Sequence, residues 1–466
     1  MFSYRLTLLS DFQIWLWISF IYFVVNRYSQ TMTHLLKGCI GAGVLAMPNA
    51  FSRVGIIGSF LLMLLIGIFA TYCIHVLIAA QYELCKRKRV GYMTFAESMA
   101  LALQEGPLCM RWASKFSYYF VDAVLILWQL GICVIYCVFV GENMHQVCDF
   151  HGLRLALRWH IVYLIAPLIV ICLIKDLRLL SPVSSVSNAL TLLGLIILFF
   201  YLIEDDVEFD YQRLEMKSIL EIPIFIGTAL FALEAVGVIL ALEYNMENPK
   251  RFVTFFGLFN IGMTIIVAVY IMVGVFGFLK YGDDIKASIT LNLPQEEKKA
   301  QAAKILLAVA IFLSFPLQNF VAYSMIWLKL KEGITNKSKK YLVDYSLRIV
   351  LVIIPWVLAV AVPTLGPFIS FFGAFCLSLL AIIFPGLMDI CIWYPNNYGV
   401  LHYRLLRDLF MIIIGLSSLV SGCYTSLLEH SEVNVLDFRN KTIDFIKLYE
   451  EFYLIVRYIR TNTSGY

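Results

Sequence analysis

The sequence predicts an all-α polytopic membrane protein, and three observations carry that prediction. Of 466 residues, 61% are hydrophobic and only 15% are charged. The apolar residues arrive in repeated runs near twenty residues, the length an α-helix needs to cross a hydrocarbon layer about 30 Å thick. The charged residues gather in the segments between those runs, as they do when loops face water and helices face lipid. A soluble globular domain is excluded, and a net charge of +4 with no basic stripe bearing interleaved aromatics gives nucleic-acid binding little support.

Eleven runs qualify, at 30–51, 55–84, 117–140, 160–174, 183–203, 222–242, 252–279, 305–328, 343–362, 368–388 and 405–428. They define a membrane domain over 30–428, preceded by an N-terminal segment, 1–29, and followed by a charged tail, 429–466. Within the first segment the run 14–25 is too short to span, and Asp11, Gln13 and Arg27 flank it. Three readings of it stand: an interfacial segment, a marginal extra span, or mistranslated upstream sequence. The second run ends in Lys86-Arg87-Lys88-Arg89, and residues 94–104 between the second and third runs form an amphipathic surface pattern. Loops after the even-numbered runs are richer in Lys and Arg than the opposite loops, and the opposite loop 204–221 holds seven acids against two bases. This places the N-terminus in the cytosol and the tail outside it, so Asn440 and Asn462 become glycosylation candidates, while the sequon at Asn336 faces the cytosol.

The first run carries Gly38, Gly41 and Gly43 within six residues, followed by Pro48. Glycines weaken a helix, and in hydrocarbon each freed backbone group costs several kcal/mol unless a polar partner satisfies it. A bound substrate is one such partner, because a broken helix offers N–H groups to an anion and carbonyls to a cation, and a zwitterion has both. Residues 38–43, namely Gly38, Cys39, Ile40, Gly41, Ala42 and Gly43, are therefore candidate substrate contacts. The competing reading is a small-residue face for helix packing. The sixth run repeats the pattern with Pro223, Gly227 and Gly237 around Glu234, an acid at mid-helix that costs on the order of 2.5–3.5 kcal/mol to insert. Glu234 reads equally as a functional group and as a packed, neutral acid bonded to a carbonyl. Tyr118, Gln129, Tyr136, Gln318 and Asn319 are pathway-lining candidates for which ordinary hydrogen bonds between helices are the preferred reading, and Asp122 reads as an interfacial or packing charge.

Eight of the eleven cysteines, Cys39, Cys73, Cys133, Cys137, Cys172, Cys376, Cys391 and Cys423, lie in or beside apolar runs as small packing residues. His145, Cys148, Asp149 and His151 crowd one loop, where solvation is the reading preferred over a metal site. No nucleophile–base pair or nucleotide loop is present, so no enzyme and no cofactor is expected.

Three passages resemble the amino acid/auxin permease family, close to the proton-coupled amino acid transporters of animals. They are Thr33-His-Leu-Leu-Lys-Gly-Cys-Ile-Gly-Ala-Gly-Val-Leu-Ala-Met-Pro48, then Gly227-Thr-Ala-Leu-Phe-Ala-Leu-Glu-Ala-Val-Gly237 continuing to Pro249, and Phe278-Leu-Lys-Tyr-Gly-Asp-Asp284 continuing to Pro294. The resemblance covers roughly residues 30 to 428. It implies eleven transmembrane helices in a LeuT-type 5+5 inverted repeat, helices 1 and 6 interrupted, and substrate held between them by residues 38–43 with Phe231 and Glu234. It also implies proton symport of small neutral amino acids such as alanine, glycine and proline, at the plasma membrane or the lysosome. The alternative is a membrane-embedded amino acid sensor that signals to growth pathways and moves little substrate. The family's usual Phe-Glu-Gly reads Leu233-Glu234-Ala235 here, which bears on substrate preference. Members also pair a cysteine after the third span with one in a later outer loop, and Cys148 finds no such partner in 204–221, 280–304 or 363–367.

For proton coupling the leading candidate is His34, with Glu234 second. An unperturbed imidazole pKa of about 6.5 titrates across the range an acidic exterior imposes. A substrate carboxylate and the proton then raise one another's affinity, as linkage demands. Lys37, three residues on, reads as a side chain snorkelling toward the cytosol. The assigned topology is checked with an epitope after Tyr466. Labelling from outside intact cells, or from the lumen of intact organelles, is the expected result, and labelling only from the cytosolic side would shift the span count by one.

Overall fold

The structure is a computed structural model, and it describes residues 32, 35–36, 39–174, 177–203, 213–233, 252, 254, 256–395 and 398–431. Among these residues there are helices and short connections and no strand. The helices are α1 Ala42–Val54, α2 Ile56–Lys88, α3 Phe95–Glu105, α4 Ser114–Phe150, α5 Leu157–Cys172, α6 Leu177–Ile203, α7 Ile222–Ala232, α8 Leu258–Tyr281, α9 Lys298–Leu330, α10 Lys337–Ala361, α11 Leu365–Ile392 and α12 Tyr403–Ser431. Eight of them, all but α1, α3, α5 and α7, are long and apolar enough to cross a membrane, and α5 and α7 are shorter apolar helices.

The helices outrun the apolar windows that announce them. Helix α4 has 37 residues and α9 has 33, so at about 1.5 Å per residue both project well past the hydrocarbon. Nothing in their polar flanks breaks the helix, whereas hydropathy marks only the part in lipid. The fourth run instead turns at Leu164, between Leu157–Tyr163 and Ile165–Cys172. The 94–104 pattern is found as α3, started by a capping box: the Thr94 hydroxyl accepts from the Glu97 N–H, and the Glu97 carboxylate accepts from the Thr94 N–H. Its buried face, Phe95, Met99 and Leu103, lies on α4 and α11. Helix α2 ends on its basic cluster, which complements the negative end of the helix dipole, and Arg87 bridges Glu83 and Glu105 at 3.0 Å each.

Helices α4 and α11 are central, with 72% and 83% of their apolar windows buried, against 28% for α6 and α12. The outer helices show lipid-facing side chains such as Ile68, Phe200 and Val420. Helix α1 packs on α7 and α8, and α9 packs on α4 and α6. Apolar burial does little to hold one helix to another inside lipid, so close contact depends on small residues and interhelical hydrogen bonds. Both occur where α11 meets its neighbours. The stretch Gly373–Ile383 is π-helical, and it brings Gly373 against the Gly227 backbone of α7. Between α11 and α12, Ser378 bonds Ser418 at 3.0 Å and Ser426 bonds Ser370 at 2.9 Å.

A Cβ at Gly373 would stand 1.9 Å from the Gly227 carbonyl oxygen. Gly373→Ala is therefore expected to destabilise by about 1–3 kcal/mol, read as a lower melting temperature of the purified protein. Gly366→Ala, whose Cβ would meet Ala287 at an ordinary 3.7 Å, is the control expected to melt with the wild type.

Candidate functional site

The first apolar run is interrupted. Leu35, Leu36 and Cys39 are helical, and the Ile40 N–H still reaches the Leu36 carbonyl at 2.7 Å. The chain leaves the helix at Ile40 and Gly41 and re-enters it at Ala42, with Gly41 at φ −137° and ψ −142° and no side chain capping α1 among the described residues. Its first N–H groups thus face the gap with the positive end of the helix dipole. The sixth run is helical to Ala232, and the Leu233 N–H closes its last turn on the Ala229 carbonyl. That end presents carbonyls and the negative end of a dipole.

The two ends meet. The hydroxyl of Tyr270, a fully buried residue of α8, donates to the Cys39 carbonyl at 2.5 Å and to the Ala232 carbonyl at 2.7 Å. A Cβ at Gly43 would lie 2.6 Å from Ala232 Cα, so this glycine serves the backbone approach of α1 to α7. Gly41 differs, because among the described residues a Cβ there would meet nothing nearer than the Tyr136 hydroxyl, 3.7 Å away. The packing reading thus fits Gly43, while Gly41 makes no such close backbone approach to the described residues and lies beneath Tyr136. Phe231 is buried, and its ring meets Trp128 edge-on at 5.4 Å.

The remaining candidates fall in several places. Gln129 is buried beside Trp128, and its amide oxygen has no protein partner among the described residues. Asn319 lines a separate small cavity with Cys172, Phe320, Tyr323 and Arg348. There the Tyr323 hydroxyl donates to Asp344 at 2.5 Å and Arg348 Nε donates to the same carboxylate at 3.0 Å. Gln318 is half-buried. Asp122 pairs with Lys329, whose ammonium lies 4.5 Å from the Tyr118 ring centroid, so this trio ties the start of α4 to the end of α9. The expected loop of His145, Cys148, Asp149 and His151 is instead the last turns of α4 and its cap, because nothing there breaks the helix. His151 Nδ1 lies 2.8 Å from the Val147 carbonyl, the His145 and His160 rings lie 5.1 Å apart and tilted, and no three metal-liganding side chains converge among the described residues. Gly38, His34, Glu234, Asn440 and Asn462 lie outside the described residues.

Sequence reasoning missed Tyr270 and Trp128. The signal for Tyr270 was one aromatic hydroxyl in the unbroken seventh run, and a buried tyrosine there has to find an acceptor. It also missed Arg53. At the C-terminal end of α1 this side chain bonds Asn49 at 3.3 Å and Glu221 at 3.0 Å, and it pairs with Glu429. One cation thereby joins α1, the turn before α7, and α12. Around it the 285–293 segment folds inward, held by Asn49 on the Ile285 carbonyl at 3.3 Å and by Lys304 on the Leu293 carbonyl at 2.9 Å.

Opposed half-helix ends inside a bundle of membrane helices are the hallmark of LeuT-type secondary transporters. The comparison with solved folds agrees. The inward-facing conformation of Mhp1 superposes with a TM-score of 0.53 at 12% identity, over 88% of this chain and 91% of that one. MhsT in complex with L-phenylalanine gives 0.50 at 14% identity, over 84% and 98%. The chain belongs to the transmembrane amino acid transporter protein family, whose sequence profile matches residues 27–428. It is 37% identical over 402 residues, 86% of its length and 84% of the relative's, to the proton-coupled amino acid transporter-like protein pathetic of Drosophila melanogaster. It is an integral membrane amino acid transporter and not an enzyme.

The two glycines separate experimentally. Gly43→Ala is expected to lower folded yield, because its Cβ meets backbone. Gly41→Val is expected to reach the membrane normally and to lose substrate binding, read by amino acid binding to purified protein. Ordinary affinity in Gly41→Val would remove residues 40–42 from the site.

Proposed function

We propose that this transporter moves small neutral amino acids together with protons, binding them in the gap between α1 and α7. The observation that carries the reading is the pairing of opposite dipole ends at one point: uncapped N–H groups of α1 beside Gly41, and the carbonyls that end α7 at Ala232 and Leu233. An α-carboxylate suits the first and an α-ammonium suits the second, which fixes the polar half of any amino acid and leaves its side chain to the surroundings. Those surroundings are the hydroxyl of Tyr136 and the rings of Phe231 and Trp128. Bulky walls of this kind favour short side chains over long ones.

Proton coupling is assigned to His34, with Glu234 as its alternative, and the drosophilid relative's name points the same way. In this assignment the arriving carboxylate stabilises the protonated imidazole, so the substrate and the proton bind with mutual preference. The C-terminal face of α1 then looks outward, and Arg53 with Glu221 and Glu429 closes the outer path.

Uptake into vesicles tests the reading. Wild-type protein is expected to accumulate alanine, glycine or proline when the pH is lower on the uptake side, and to lose accumulation when a protonophore removes the gradient. His34→Ala is expected to bind substrate and to lose most gradient-driven uptake. Retention of the full pH dependence in that variant transfers the role to Glu234, and tight binding by wild type with no accumulation under any gradient would identify a sensor instead.

A further inference from the structure

We propose that Tyr270 is a positioning residue of the transport site, whose hydroxyl occupies the place of a coupling metal cation between the two interrupted helices. This rests on the reading of the α1–α7 gap as the substrate site. Two carbonyl oxygens, of Cys39 and Ala232, converge on the Tyr270 oxygen at 2.5 and 2.7 Å. They come from residues 193 positions apart, and each sits at the point where its helix stops. Carbonyls exposed by unwound membrane helices are the groups with which transporters coordinate Na⁺, and a pair of them turned toward one atom is half of an oxygen cage for a small cation.

Here a phenolic O–H fills that point. It supplies a partial positive charge to both carbonyls through one proton, carries no net charge and cannot leave. A diffusible cation would hold the half-helices together only while bound, which would make substrate binding depend on its concentration. Tyr270 holds them permanently. It is completely buried on α8, and α8 packs along α1, where Phe51 lies against Gly274 and Pro48 against Gly277. The ring's position is therefore set by the close packing of α8 on α1. Gly43 against Ala232 sets the other side of the junction. The hydroxyl sits where separation and relative rotation of the breaks are decided, and it acts on the substrate through Cys39 and Ala232 rather than by touching it.

The consequence is specific. Tyr270→Phe removes one oxygen and leaves two convergent carbonyls around a space that an alkali cation can enter. In choline medium the variant is expected to lose about tenfold in uptake, the loss that goes with one or two buried hydrogen bonds. Na⁺ or Li⁺ is expected to restore a large part of it. Wild type is expected to ignore the exchange of choline for Na⁺. A second readout is independent of transport: the melting temperature of purified Tyr270→Phe is expected to rise on adding Na⁺, while that of wild type stays fixed. Tyr270→His, which keeps a ring N–H donor, serves as the second variant and is expected to fold without a response to Na⁺. Full uptake by Tyr270→Phe in choline overturns the proposal, and so does a Tyr270→Phe protein whose melting and uptake Na⁺ leaves unmoved, or failure of both variants to fold. Absence of amino acid uptake by wild type would sink the transport reading alone, since the Na⁺-dependent melting still decides the role of Tyr270.

Discussion

Backbone groups released inside a membrane must be satisfied by something other than water, and the centre of this protein is arranged around that constraint. Two helices stop partway along their apolar runs at Cys39–Gly41 and Ala232–Leu233, and their exposed carbonyls meet at the Tyr270 hydroxyl. A break left alone would cost several kcal/mol. Two breaks facing each other share donors, set opposite dipole ends side by side, and create a polar spot in a bundle that is otherwise apolar. The remaining contacts bring those breaks to the same place. Gly43 lets α1 reach Ala232, and Gly227 with Gly373 lets α7 reach α11. Each of these glycines brings one backbone to another at a distance that no side chain allows.

The same arrangement accounts for the distribution of polarity along the bundle. Near the breaks there are few formal charges among the described residues, and the work is done by peptide dipoles, hydroxyls and rings. Full charges appear toward the helix ends, in Arg53 with Glu221 and Glu429, Asp122 with Lys329, and Asp389 and Asp408 around Arg407. This division follows from the cost of charge in lipid. A site that must release its substrate is better built from dipoles, which hold a zwitterion without a fixed charge that would have to be neutralised each time the site empties. The pair of Arg53 with Glu221 suits closure, because its partial exposure to water lets it separate.

Much of this was legible in the sequence, for physical reasons that can be named. Period, length and hydropathy locate a helix wherever lipid sets the rule, so the membrane class and most apolar windows could be read directly. Three glycines and a proline announce a weak helix, so the first break could be placed within a few residues, and the Pro223, Gly227 and Glu234 pattern pointed to its counterpart. The helix ends were not legible, because α4 and α9 continue into water on residues that neither break a helix nor register as apolar. The shared role first given to residues 38–43 also divides in space, with Gly43 in a packing contact and Gly41 at the gap.

What the sequence by itself determined is that the chain crosses a membrane repeatedly and that two of its helices are built to stop partway, since both properties depend on local composition and on the cost of unsatisfied backbone. Only the tertiary structure decided which groups answer those breaks. Tyr270 lies 231 positions from Cys39 and 38 from Ala232, and Arg53 lies 376 positions from Glu429. No periodicity or spacing encodes such pairings, because they arise from helix packing angles and from the few glycine contacts that let particular backbones touch.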